Sequence, residues 1–77
     1  MMVNFKELKN AIQEKQFIYD TIIGALNRIS VSDDEEEVSK HIQNITENLL
    51  PQYALSARKA HCLTTEFNSQ LRGNQNE

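Results

Sequence analysis

The residues best suited to chemistry in this 77-residue chain are two histidines, His41 and His61, and a single cysteine, Cys62. A nucleophilic thiol needs a base within hydrogen-bonding reach, but adjacent residues of a helix point about 100° apart. His61 is therefore poorly placed to activate Cys62. Glu37 and His41 lie four residues apart and would share a helix face. A metal site needs three or four converging ligands, and no further ligand falls in phase with that pair, so we expect no metal site.

Other signatures of catalysis are also missing from the sequence. It has no glycine-rich loop for a phosphate, no serine in a nucleophile elbow and no paired carboxylates at apolar positions. We therefore expect that the protein is not an enzyme, that it needs no cofactor and that it takes no small-molecule substrate.

Composition narrows the class of partner. The chain has eight lysines and arginines and eleven aspartates and glutamates, which gives a net charge of −3, and it has no run of basic residues. Nucleic-acid binding is therefore not expected. No apolar run approaches the roughly 18 residues that span a membrane, and the first residues do not follow the order of a signal peptide. A single cysteine suits a reducing compartment. The expected location is the cytoplasm.

Residues 5–29 carry the heptad pattern of a helix that packs along one stripe. Asn4, with Glu7 three residues later, is a suitable N-cap for this helix. Lys15 is the one charged residue of the pattern, and it either sets the register of the contact or extends its amine to the edge of the stripe. The stripe consists of Phe5, Leu8, Ile12, Lys15, Tyr19, Ile22, Leu26 and Ile29.

Ser32 begins a second helix signature. Ser32 and Glu35 form a capping box, and the acidic run 33–37 is favoured by the positive end of a helix dipole. The short connection predicts that the two helices are antiparallel neighbours. The same five acids also allow an alternative function, in which a small acidic inhibitor of phage or plasmid type docks on a basic surface of its target.

The second helix contains Pro51, which predicts either a kink or a break. A proline inside a helix removes one backbone hydrogen bond, whereas at the first position of a new helix it is well tolerated. The apolar stripe keeps its phase across Pro51 through three successive steps of four residues, which favours one bent helix over two. This stripe consists of Val38, Ile42, Ile45, Leu49, Tyr53, Ala57, Ala60, Thr64, Phe67 and Leu71.

These patterns predict an all-α fold for a single small domain, residues 1–77. The predicted fold is an antiparallel helical hairpin whose second helix is kinked or broken at Pro51, with a three-helix bundle as the alternative. A first helix of about 39 Å cannot cover a second of about 58 Å, so Phe67 and Leu71 would lack a neighbour. Gly73 is suited to end the helix, which leaves 73–77 as a disordered tail.

The apolar surface left over predicts a protein partner or a homo-oligomer. Phe17 lies on the side of the first helix opposite its stripe, beside Gly24, and Leu55 and Cys62 form a second row on the later helix. The predicted function is a small interaction module, an adaptor or chaperone-like subunit that acts by coiled-coil packing. In size and outline the sequence resembles the helical-hairpin co-chaperones of type III secretion needle subunits and short coiled-coil subunits of larger assemblies. The predicted partner-binding residues are Phe17, Leu55, Cys62, Phe67 and Leu71.

Overall fold

The computed structural model describes residues 2–75, which form two long antiparallel helical arms and contain no strand. The first arm is α1, Phe5–Val31. The long arm runs without interruption through α2, Glu35–Asn44, a π-helical turn at Ile45–Leu49, and α3, Leu50–Gln75. The predicted all-α helical hairpin is confirmed. Because the long arm is continuous, no third helix folds back within the described part of the chain.

The helix boundaries confirm one predicted cap and correct the other. Asn4 caps α1, since its side-chain oxygen accepts a hydrogen bond of 2.7 Å from the backbone N–H of Glu7. The predicted Ser32 cap is wrong, because Asp34 caps α2 by accepting from two backbone N–H groups of the first turn. Ser32 lies in the extended connection, where its hydroxyl accepts from the backbone N–H of Asp34 at 3.2 Å. Serine and aspartate are equally good caps, so residue type alone did not separate them.

The long arm accommodates Pro51 by means of the π-helical turn that precedes it. Within this turn the backbone N–H of Leu50 donates to the carbonyl of Ile45, five residues earlier. A π-helical turn contains one more residue than an α-helical turn. This extra residue explains why the apolar residues around Pro51 recur at three successive steps of four. The predicted kink is not confirmed. The molecule is 61 Å long, close to the length of about 61 Å expected for a straight helix over Glu35 to Gln75.

The register between the arms brings more of the long arm under α1 than the sequence predicted. Tyr19 packs against Tyr53 with ring centroids 6.1 Å apart, and Phe5 packs against Phe67 at 6.2 Å. If the two helices were level at the turn, Tyr19 would lie opposite a residue about six positions before Tyr53. The observed offset brings Phe67 beside α1, which covers this half-buried side chain.

The open end of the hairpin is closed by a side-chain clamp. The amide of Gln70 accepts a hydrogen bond from the backbone N–H of Val3 and donates to the carbonyl of Val3 at 3.0 Å. Val3 is buried, although it precedes the first helix. One glutamine therefore ties the start of the chain to α3 in the way a neighbouring backbone strand would.

The ridge of α1 that faces the long arm differs from the predicted stripe. Leu8 and Ile22 are buried as expected, but Ala11 is buried in place of Ile12, which is about half exposed. Ile18 and Ala25 are likewise more buried than Tyr19 and Leu26. The helix is thus rotated by roughly 50° from the predicted orientation, at about 100° per residue. Small alanines at the contact let the arms approach closely, and the bulkier side chains move to one side.

Replacement of Gly24 by alanine is expected to raise the free energy of unfolding by about 0.5–1 kcal/mol. Gly24 lies inside α1, and a Cβ built there meets nothing within 4 Å. Alanine has the higher helix propensity and restricts the unfolded chain. Urea unfolding measures this change at low protein concentration. A loss of stability or of binding would instead show that another helix packs closely against Gly24.

Candidate interaction surface

The hairpin is a thin rod with little interior. Its radius of gyration is 17.4 Å, against about 11.5 Å expected for a compact domain of this length. No large side chain of the described residues is fully buried. Two arms in contact have only one shared interface, so each apolar stripe is wider than the strip that its neighbour can cover.

Two grooves run along the contact between the arms. One of them has charged side chains along its length, and we call it the polar groove. Glu14 and Lys59 line it near its middle, together with the buried Ser56, and Arg28 and His41 line it nearer the turn. Ile18 and Leu55 also line its middle, and Leu55 is 68% exposed. The lining therefore mixes charged and apolar side chains.

The opposite groove is flanked by large apolar side chains along its whole length. Its middle is lined by Ile12, Lys15, Ala57, Ala60, His61 and Thr64. Steps of three and four residues place further apolar residues on the same side of each helix. The members are 38–63% exposed, and we call this surface the apolar face. It consists of Phe5, Ile12, Tyr19, Ile23 and Leu26 of α1 with Ile42, Leu50 and Leu71 of the long arm.

Two lysines border the apolar face and lie over its aromatic rings. The Nζ atom of Lys9 is 5.6 Å from the centroid of Phe5, and that of Lys15 is 6.0 Å from the centroid of Tyr53. Such cation–π geometry lets the lysine stems cover apolar surface while the amines reach solvent. Lys15 is half-buried, in agreement with the predicted extension of its amine to the edge of the stripe.

Charge is distributed unevenly along the rod. Residues 28–40 at the turn end carry five carboxylates and two cations, a net charge of −3. Residues 2–9 and 66–72 at the open end carry three cations and two carboxylates, a net charge of +1, and three further cations, Lys15, Arg58 and Lys59, lie near the middle of the rod. The rod therefore has an acidic turn end, and its open half is basic.

The predicted partner-binding residues do not form one surface. Phe17 is 73% exposed and points away from the long arm, and Leu55 lies in the polar groove. Cys62 is exposed on α3, and Phe67 packs against α1. Leu71 alone belongs to the apolar face. The pattern therefore identified four exposed positions and one half-buried position, Phe67. The apolar face was not predicted, because its phase depends on the rotation of α1.

The residues considered for chemistry form two separate groups on the long arm. The Nε2 atom of His41 is 3.6 Å from a carboxylate oxygen of Glu37, as their spacing predicts. His61 and Cys62 lie with Glu66 at a shallow exposed depression of α3. Over residues 2–75, no three His, Cys, Asp or Glu side chains converge in the manner of a metal site.

Neither arm, over the residues described, has the length and hydropathy of a membrane-crossing helix. Comparison with models of protein families, with curated proteins and with solved structures finds no match to this chain.

Proposed function

We propose that this protein is a small helical interaction module, an adaptor or chaperone-like subunit, that binds another protein chain through its apolar face. The observation that carries the proposal is the concentration of eight exposed large apolar side chains on one side of a two-helix rod. Scattered exposed apolar residues are ordinary on a protein surface, whereas a contiguous patch of this kind is typical of an interaction site.

The shape of the face suits a helical partner. It is straight, about as long as the hairpin, and formed by two antiparallel helices with a groove between them. A helix whose apolar residues recur every three to four positions fits such a groove by coiled-coil packing. Small side chains at Ala57 and Thr64 line the groove between the bulkier residues, which leaves room for the partner's side chains.

We also propose that the protein works in the cytoplasm. Its single cysteine, Cys62, is exposed and cannot form a disulfide within the chain. An exposed free thiol is stable in a reducing compartment, whereas secreted domains of this size usually depend on disulfides.

Photo-crosslinking inside cells that express the protein tests the proposed function. A benzophenone-bearing phenylalanine analogue is placed at one of three positions: Tyr19 on the apolar face, Phe17 on the outer side of the same helix, or Glu36 in the acidic run. We expect covalent adducts from Tyr19 alone, because only that ring would lie within a buried contact. Mass spectrometry then identifies the residue that each adduct joins.

The three positions separate the candidate functions. An adduct from Tyr19 to an apolar helical stripe, in another protein or in a second copy, supports the proposal. Adducts from Glu36 alone would favour the acidic inhibitor, and adducts from Phe17 alone would favour the outer side of α1. If irradiation gives no adduct from Tyr19, the apolar face is not the binding surface.

A further inference from the structure

We infer that the occupant of the apolar face is a second copy of this chain, packed antiparallel to the first to form a four-helix bundle. This inference rests on the proposed function, since it identifies the partner of the same face. Three features support it: the amount of uncovered surface, the arrangement of bulky and small residues along the face, and the distribution of charge along the rod.

The uncovered surface is large enough for a stable dimer. The chain exposes 6145 Å², whereas a compact monomer of 8.9 kDa is expected to expose about 4,800 Å². The excess of roughly 1,300 Å² is spread over the whole rod, because two helices alone form little interior. A standard interface buries about 800 Å² of each partner, so a second hairpin along the apolar face would remove part of this excess from solvent.

The apolar face is self-complementary when one copy is turned end for end. Leu26 and Ile42 lie near the turn end, and Phe5 and Leu71 lie near the open end. Between them, at the level of Ala57, the groove is lined by the small side chains of Ala57, Ala60 and Thr64 together with Ile12, Lys15 and His61. A two-fold axis at that level brings the bulky residues of each end against those of the other end, as an isologous contact requires.

The charges select the antiparallel orientation over the parallel one. An antiparallel pair places the turn end of one copy, with a net charge of −3, beside the open end of the other, with a net charge of +1. A parallel pair would place like charges side by side at both ends. Complementary potentials fix the register and orientation of an interface more than they raise its affinity.

Pulsed electron paramagnetic resonance on a spin-labelled chain tests the inference. The variant Cys62→Ser with Ser39→Cys carries one nitroxide near the turn end, at a position that is exposed in the hairpin. In an antiparallel dimer the two labels lie near opposite ends, about 50 Å apart at 1.5 Å per residue. In a parallel dimer they lie on neighbouring helices, less than about 30 Å apart.

Each outcome decides the inference. A distance near 50 Å supports the antiparallel dimer, and a distance below 30 Å overturns the orientation. Absence of any intermolecular coupling at 100 μM label overturns the second copy as occupant. In that case the proposed function stands if Tyr19 still forms adducts with another protein, and it fails if Tyr19 forms none. A control label at the native Cys62, closer to the proposed axis, should give a much shorter distance in the same dimer.

Discussion

Replacement of Ile12 by aspartate is expected to raise the dissociation constant of the dimer at least about 100-fold. Ile12 lies on the apolar face close to the level of the proposed two-fold axis, so each dimer would bury two carboxylates in place of two apolar side chains, with Lys9 and Lys15 as the nearest cations on the same helix. A buried charge without a partner costs several kcal/mol, and about 2.7 kcal/mol corresponds to 100-fold in affinity. Sedimentation equilibrium over a range of concentrations measures the change.

The matched control for this substitution is Phe17→Asp. Phe17 is also inside α1 but is 73% exposed and points away from the long arm, so the cost in helix propensity is similar and no dimer contact is lost. We expect a change in the dissociation constant of less than threefold. Circular dichroism at the same concentrations checks that both variants remain helical. Dissociation by Phe17→Asp with no effect of Ile12→Asp would place the interface on the outer side of α1.

Replacement of Ile22 by alanine is expected to lower the free energy of unfolding of the monomer by about 2–4 kcal/mol. Ile22 is one of the few large side chains that α1 buries against the long arm, with 8% of its surface exposed. Its truncation removes buried apolar area and leaves a cavity. A core of this size supplies roughly 3–5 kcal/mol, so the variant should be largely unfolded at low concentration.

The neighbouring residue Ile23 provides the control because it belongs to the apolar face. Ile23→Ala should cost the monomer less than Ile22→Ala, since Ile23 is 38% exposed and Ile22 is 8% exposed, and it should also weaken association. Urea unfolding at low and high protein concentration separates the two effects. Equal losses of monomer stability for Ile22→Ala and Ile23→Ala would contradict the orientation of α1 described above.

The sequence predicted the elements of this fold correctly because their signals are local. Asn4 and Glu7 identify the start of α1, and heptad spacing identifies two helices joined by a short connection. The four-residue steps around Pro51 indicated an irregularity in the long arm. They did not distinguish a kink from a π-helical turn, because both preserve the phase of the apolar stripe.

The features that the sequence did not predict depend on contacts between distant residues. Ala11 is buried between the arms in place of Ile12 because the arms approach each other closely. The hydrophobicity of the two residues does not indicate this distance. The clamp between Gln70 and Val3 joins residues 67 positions apart. The apolar face follows from the same rotation of α1, so it becomes visible only when both helices are placed together.

The predicted end of the second helix at Gly73 is wrong, because a glycine ends a helix only where its backbone leaves the helical conformation. Glycine ends helices well where the backbone takes a positive φ, but α3 continues through Gly73 to Gln75, and no glycine of the described residues has a positive φ. Part of the predicted tail is therefore helical, and residues 76–77 lie outside the described residues.

The most direct test of the account is the mass of the unmodified chain in solution. Sedimentation equilibrium between 5 and 200 μM should give twice the chain mass of 8.9 kDa at the upper concentrations, with dissociation on dilution. A mass of 8.9 kDa at every concentration would contradict the central claim that a second copy covers the apolar face.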